Sequence, residues 1–242
     1  MQRKIKYSVL SVLLLLGACA GTPKNADDPF ERVNREIYGF NRTIDRAVFK
    51  PTAYLYKNYI PSPVRTGVGN FFSNLEEITT VANDVLQGKL NYAAHDLARF
   101  GVNSTIGLLG FFDVAGELGL DRRKEDFGQT LYVWGYEQSA YLILPFLGPS
   151  TIRDGIGRGV DLGLSIWPWL PSDDAALGLL ALNLVDKRAA ILHKESILTT
   201  IALDEYTLIR DAFLQRRTFL STDGTSDFSE EEEDPLDELE DY

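Results

Sequence analysis

The chain has 242 residues, 45% of them hydrophobic and 11% aromatic, with 24 Lys and Arg against 35 Asp and Glu for a net charge of −11. That length suits one or two domains with a substantial core, and the charge balance excludes a basic face that would track nucleic-acid phosphates. One cysteine, Cys19, excludes a disulfide framework and a cysteine metal site within the chain.

Residues 1–18 read as a secretory leader. Arg3, Lys4 and Lys6 form the basic head, Val9 to Leu16 the short apolar core, and Gly17-Ala18 the small residues before the cut. Leu16-Gly17-Ala18-Cys19 has the lipobox pattern, in which the Cys19 thiol receives a diacylglycerol and the new amino terminus an N-acyl chain. The competing reading, an uncleaved membrane helix over residues 5–18, falls short of the about 20 apolar residues that a crossing needs. Three acyl chains carry roughly 40 methylenes at about 0.8 kcal/mol each, which makes a permanent anchor. A cysteine spent on lipid leaves no thiolate nucleophile.

The acidity is local. The leader removes three of the 24 cations, and residues 223–242 hold 11 of the 35 acids with no Lys or Arg. Four consecutive glutamates, Glu230 to Glu233, make that tail too self-repelling to fold alone. The predicted organisation is a leader at 1–18, a tether at 19–28, a nearly neutral body at 29–222 and a disordered acidic tail at 223–242.

The body reads as all-α. Phe30, Val33, Ile37 and Phe40 or Asn41 share one helix face, with Asp27 or Asp28 as cap and Pro29 in the first turn. Pro51 and then Pro61 and Pro63 are stops. Asn70 or Ser73 caps the next helix, whose apolar stripe is Phe71, Leu75, Ile78, Ala82 and Val85 and which Gly88 ends. A helix from Asn91 follows, with Ala94, Leu97 and Phe100 or Gly101 inward. Thr130–Gly135 and Ala140–Leu147 read as extended, Pro145 confining the second to an edge. Ser150 or Thr151 caps a helix carrying Arg153 and Asp154. Asp173 or Asp174 opens another through Leu182, Asp186 caps its successor, and Asp204 caps the last, with Tyr206, Ile209 and Phe213 inward.

Motifs for catalysis are absent. His95 and His193 lack metal partners at helical spacing. Gly163-Leu164-Ser165-Ile166-Trp167 fails the nucleophile-elbow pattern at its last position. Gly155-Ile156-Gly157-Arg158-Gly159 follows a helix and not a strand, so it does not cradle a dinucleotide. No catalytic residue, no metal and no cofactor beyond the acyl groups on Cys19 are expected. Residues 103–119 and 140–182 are instead apolar and glycine-rich, yet too interrupted to span a bilayer. They read either as buried core or as segments embedded sideways in one leaflet, with Trp167 and Trp169 at headgroup level.

Asp28-Pro29-Phe30-Glu31-Arg32-Val33-Asn34-Arg35 followed by Tyr38-Gly39-Phe40-Asn41 resembles the opening of the MlaA (VacJ) family of outer-membrane lipoproteins. Asn74-Leu75-Glu76-Glu77, Leu86-Gln87-Gly88, Asp126-Phe127-Gly128-Gln129-Thr130-Leu131, Tyr141 to Pro145 and Gly148 to Asp154 extend the likeness over about residues 27–220. Ile78 departs from it, where the family carries a proline after the paired acids. The resemblance implies a ring-shaped helical body sunk in the inner leaflet of the outer membrane on its periplasmic side. A central amphipathic channel would return stray phospholipids from the outer leaflet to a soluble periplasmic carrier, beside a porin trimer. It also implies that Phe40 and Asn41 help close the channel mouth, and that Arg153 and Asp154 line the passage or pair with each other. A purely structural lipoprotein that scaffolds porins is the alternative.

Overall fold

A computed structural model describes residues 28–201 and 204–224, without the side chains of residues 194–201. The leader, Cys19, the tether before residue 28 and the tail beyond residue 224 lie outside the described residues. The body is mostly helical, with one two-stranded sheet.

Helix α1 (Glu31–Ile44) runs through a single π turn, Asp45–Phe49, into α2 (Lys50–Tyr59). Pro51 therefore bends the rod rather than ending it. The wider π turn, in which Lys50 N–H reaches the Asp45 carbonyl, makes room for a ring that would otherwise strike the preceding turn. No side chain caps α1. Asp28, expected as its cap, instead accepts from Asn34 Nδ2 at 2.8 Å and from the Tyr206 hydroxyl. Asn34 Oδ1 accepts from Ile143 N–H at 2.9 Å. The opening acidic and asparagine motif is thus a clasp that joins α1 to the sheet and to the last helix.

Helix α3 (Ser62–Leu86) starts eight residues before Asn70. Pro63 lies in its first turn, where a missing N–H costs nothing because no carbonyl awaits it. Gly88, at φ +77°, turns the chain into α4 (Leu90–Thr105), which packs along α3. A short α5 (Val114–Glu117) follows. Thr130 to Val133, expected as extended, belong to α6 (Phe127–Val133), because Asp126 accepts from Gln129 N–H and nucleates a helix.

The second extended expectation is met in part. β1 (Tyr141–Leu144) pairs antiparallel with β2 (Gly148–Thr151), and Pro145 falls in the turn between them. Thr151 then caps α7 (Ile152–Leu164), as the sequence suggests. After a 3-10 turn at Trp167–Trp169, α8 (Asp173–Ile201) runs without a break. Asp186 lies inside it, accepting from the Tyr56 hydroxyl at 3.0 Å, and caps nothing. Asp204 caps α9 (Glu205–Ser221) as expected.

The helix faces are inverted relative to expectation. On α3 the buried residues are Gly67, Phe72, Asn74, Glu77, Thr80, Asn83 and Asp84, while the apolar stripe from Phe71 to Val85 is half-buried or exposed. On α4 the buried residues are Ala93, Asp96, Arg99 and Asn103, and Ala94 and Leu97 face outward. Among the described residues, twenty polar or charged side chains are buried against nine hydrophobic ones. The helical period is right and its phase is reversed. An interior of paired charges replaces the usual oily one, and the oil is outside. Leu55, Leu90, Ile106, Leu108, Leu109 and Leu118 are each more than half exposed.

Arg99 is the hub of that interior. Its Nε lies 3.2 Å from Glu77 Oε1, its Nη2 lies 3.2 Å from Asp113 Oδ1, and its Nη1 donates to the Leu120 carbonyl. Beside it, burial and then the adjacent Asp96 push the Asp84 carboxyl up to about 7. An unfolded aspartate titrates near 3.9, so between about pH 4 and 7 the folded chain keeps a proton that the unfolded chain releases. This group's contribution to stability therefore falls as pH rises through that window. Asp84→Asn should flatten the decline, so that the variant gains on the wild type from pH 4 to pH 8 in denaturant titrations. A difference independent of pH would rule out a retained proton.

The elements close a circuit. α1 touches β1, β1 pairs with β2, and the hairpin packs on α7. Next, α7 contacts α3, α3 contacts α8, and α8 returns along α2 to the π turn beside α1. At the α6–α7 crossing the backbones almost touch: a Cβ on Gly157 would stand 2.5 Å from Gly128 N. The result is a ring with its hole between α1, the hairpin, α7, α3 and α8.

Candidate functional site

Two cavities occupy the hole. One, of about 540 Å³, is walled by α3, α7, α8 and α9 and is rich in charge. The other, of about 550 Å³, lies among α1, the π turn, the hairpin and α8 and is more apolar, with Ile44, Phe49, Ile143, Phe146, Leu184 and Ile191 on its walls. Leu147 and Lys187 line both. The cavities therefore meet between the turn of the hairpin, which carries Leu147, and α8, which carries Lys187.

That turn is held from α1. Asn41 Nδ2 donates to the Leu144 carbonyl at 2.9 Å, and its Oδ1 accepts from Phe146 N–H at 2.8 Å. Phe146 sits at φ +64°, a left-handed conformation that a β-substituted residue adopts only when its surroundings hold it there. The Phe40 ring meets the Phe146 ring edge to face at 5.3 Å. Phe40 and Asn41 are thus the fixtures of the turn that carries Leu147 between the cavities.

Arg153 and Asp154 are neighbours with different neighbourhoods. Asp154 is on the wall of the charged cavity, where Arg217 Nη2 donates to it at 2.7 Å. Arg153 lies behind that wall. It binds the carbonyls of Tyr136 and Glu137 at 3.2 and 3.0 Å, reaches the Ser221 hydroxyl at 3.3 Å, and approaches Asp154 only to 3.4 Å. Arg153 therefore ties α7 to the loop before the hairpin and to the end of α9. The two tryptophans also part company. Trp167 stacks on Phe72 at 6.3 Å and lines the charged cavity, whereas Trp169 is 76% exposed on the outside.

The charges of the cavity wall are largely paired. Glu76 receives Lys187 at 2.5 Å, Arg122 at 3.0 Å and Lys124 at 3.7 Å. Burial works against the Glu76 anion, and these cations nevertheless hold its carboxyl below the usual range. Arg217 forks onto Asp126 at 2.6 and 3.0 Å. Asp161 accepts from Asn83 Nδ2 at 2.9 Å and from Phe127 N–H, which fastens α7 to α3 and to the start of α6. Among the described residues, no cluster of His, Cys, Asp and Glu could hold a metal ion, and no helix is long and apolar enough to cross a membrane. His95 Nδ1 lies 2.7 Å from Asp96 Oδ1.

Leu147, Lys187, Glu76 and Arg158 are not among the site residues expected from the sequence. Glu76 and Lys187 meet across 111 positions, a distance at which one sequence offers no pattern. Arg158 did leave a trace, as the lone cation in a glycine-rich helix between Gly155 and Gly163.

The model of the MlaA lipoprotein family matches residues 26–220. The chain belongs to the MlaA lipoprotein family. It is 33% identical over 230 residues to the intermembrane phospholipid transport system lipoprotein MlaA of Escherichia coli K12, covering 93% of this chain and 91% of that one. The protein of the same description from Haemophilus influenzae is 32% identical over 231 residues, covering 90% and 91%. A solved structure described as "Structural basis for maintenance of bacterial outer membrane lipid asymmetry" superposes with a TM-score of 0.71 at 31% identity, covering 80% of this chain and 98% of that one. MlaA is a family of lipoproteins and not of enzymes, and its fold is the helical ring described above.

Proposed function

We propose that this protein returns misplaced phospholipids from the outer leaflet of the outer membrane through the hole in its ring, without catalysis. The observation that carries the reading is the inverted interior: a ring with apolar side chains outside and charge around a central hole. Such a body is at rest in acyl chains, and it offers a polar headgroup a path that water-exposed tails do not have. Baring both tails would cost on the order of 20 kcal/mol at about 0.8 kcal/mol per methylene. Direction would come from tighter binding downstream, to a soluble periplasmic carrier. A porin trimer beside the ring would hold it in place. The acyl groups on Cys19 would fix it to the periplasmic leaflet, with the body sunk beside them and Trp169 at headgroup level. Phe40 and Asn41 would set the hairpin turn that narrows the passage.

Deleting the gene should raise phospholipid in the outer leaflet. The wild-type chain should restore asymmetry, and a Cys19→Ala chain, stranded at the inner membrane, should not. Normal asymmetry after deletion, with porin levels disturbed instead, would leave only a scaffolding role.

A further inference from the structure

The wall of the charged cavity contains five cations, and three of them are answered. Lys124 and Lys187 share Glu76, and Arg217 is bound by Asp126 and Asp154. Arg158 and Arg216 meet no carboxylate at ion-pair distance among the described residues, although both line the same space. Nearby acids do not answer Arg158, because Asp154 is engaged by Arg217 and Asp161 by Asn83 and Phe127 N–H.

Arg158 is nevertheless held in place. Its Nη2 donates to the Pro149 carbonyl at 2.9 Å and its Nη1 to the Leu147 carbonyl at 3.4 Å. Those bonds fix the guanidinium against the hairpin turn, where the two cavities meet, and leave other N–H groups without a protein acceptor. Burial lowers the pKa of this group against the opposing pull of Asp154 and Asp126. A fixed guanidinium fork fits a phosphate better than a solitary ammonium does. On the far side of Leu147 the space is apolar, walled by Phe49, Ile143 and Ile191.

We infer that Arg158 seats the phosphate of a lipid headgroup at the junction from which the acyl chains extend into the apolar cavity, with Arg216 a second unanswered cation on the wall of the charged cavity. The inference rests on the proposed passage of phospholipid and adds where the headgroup stops. A neutral lipid of equal chain length would fit the apolar cavity and gain nothing from the seat. Discrimination between lipids then lies in the phosphate and not in the alcohol attached to it.

The test uses the full acylated chain in detergent with three probes: dipalmitoyl phosphatidylglycerol, dipalmitoylglycerol without phosphate, and glycerol 3-phosphate without chains. Binding is measured by competition against a fluorescent phospholipid. The wild type should prefer the phospholipid over the diacylglycerol by about tenfold or more, as a charge-assisted bond to a partly dry anion requires. Arg158→Gln with Arg216→Gln should bring the two lipids to about parity. An unchanged circular dichroism spectrum checks that the helical fold is kept in the double variant. Arg158→Lys should retain part of the preference. An undiminished preference in the double variant overturns the seat. Glycerol phosphate binding as tightly as the lipid would overturn the lipid headgroup as the occupant. Glycerol phosphate bound while neither lipid is would keep the anion seat and refute the passage of phospholipid.

Discussion

Arg99→Ala should cost the fold about 3–5 kcal/mol, the loss typical of removing one partner from a buried ion pair. Arg99 and Glu77 each keep only 2% of their side-chain surface, and Asp113 depends on the same guanidinium. Removing it leaves the buried Glu77 carboxylate with only Arg122 Nε at 4.0 Å, and it leaves the Leu120 carbonyl without its donor. Arg99→Lys should recover little, because one ammonium cannot meet Glu77, Asp113 and Leu120 from a single position. The measurement is denaturant unfolding in a fixed detergent, read by far-ultraviolet circular dichroism. A loss under about 1 kcal/mol would mean that these charges are wet in the folded state, and the polar interior would not be what holds α3, α4 and α5 together.

Leu147→Trp should abolish lipid return while leaving the fold intact. Leu147 is 60% exposed and faces both cavities, so an indole there fills their junction without entering a packed core. Outer-leaflet phospholipid should rise to the level of the gene deletion, with the protein still present at wild-type abundance. Leu147→Ala widens the same point and should not block it. Full activity in the tryptophan variant would show that lipid does not pass between the two cavities.

Much of this was legible in the chain, and the reasons differ from element to element. Thr151 and Asp204 were readable as caps because a cap is a local arrangement of one side chain and three backbone groups. Asn70, Ser73 and Asp186 were misread by the same rule, since polar residues at those positions serve partners 41 and 130 residues away, or lie on the inner face of a longer helix. Thr130 to Val133 read as extended from their own side chains, and the Asp126 cap makes them helical. The largest misreading was the phase of α3 and α4. Periodicity finds the two faces of a helix but not which one faces in, and the assumption that apolar means inside holds only for a chain surrounded by water. The family likeness pointed to Phe40 and Asn41. Only the fold shows that they act on Phe146, more than 100 positions away.

The clasp at the seam of the ring has a consequence for biogenesis. Asp28, at the start of the body, is gripped by Tyr206, 178 positions later, and Asn34 must await the strand at Tyr141, 107 positions on. Contacts so remote in sequence form slowly and late. A chain that emerges amino-terminus first therefore cannot fasten this clasp until its final helix is out. Until then its greasy flanks and its unmatched charges are bare together, a state in need of an escort. The clasp is the last joint of the molecule to be fastened, so the seam it holds stays loose for as long as the chain is incomplete.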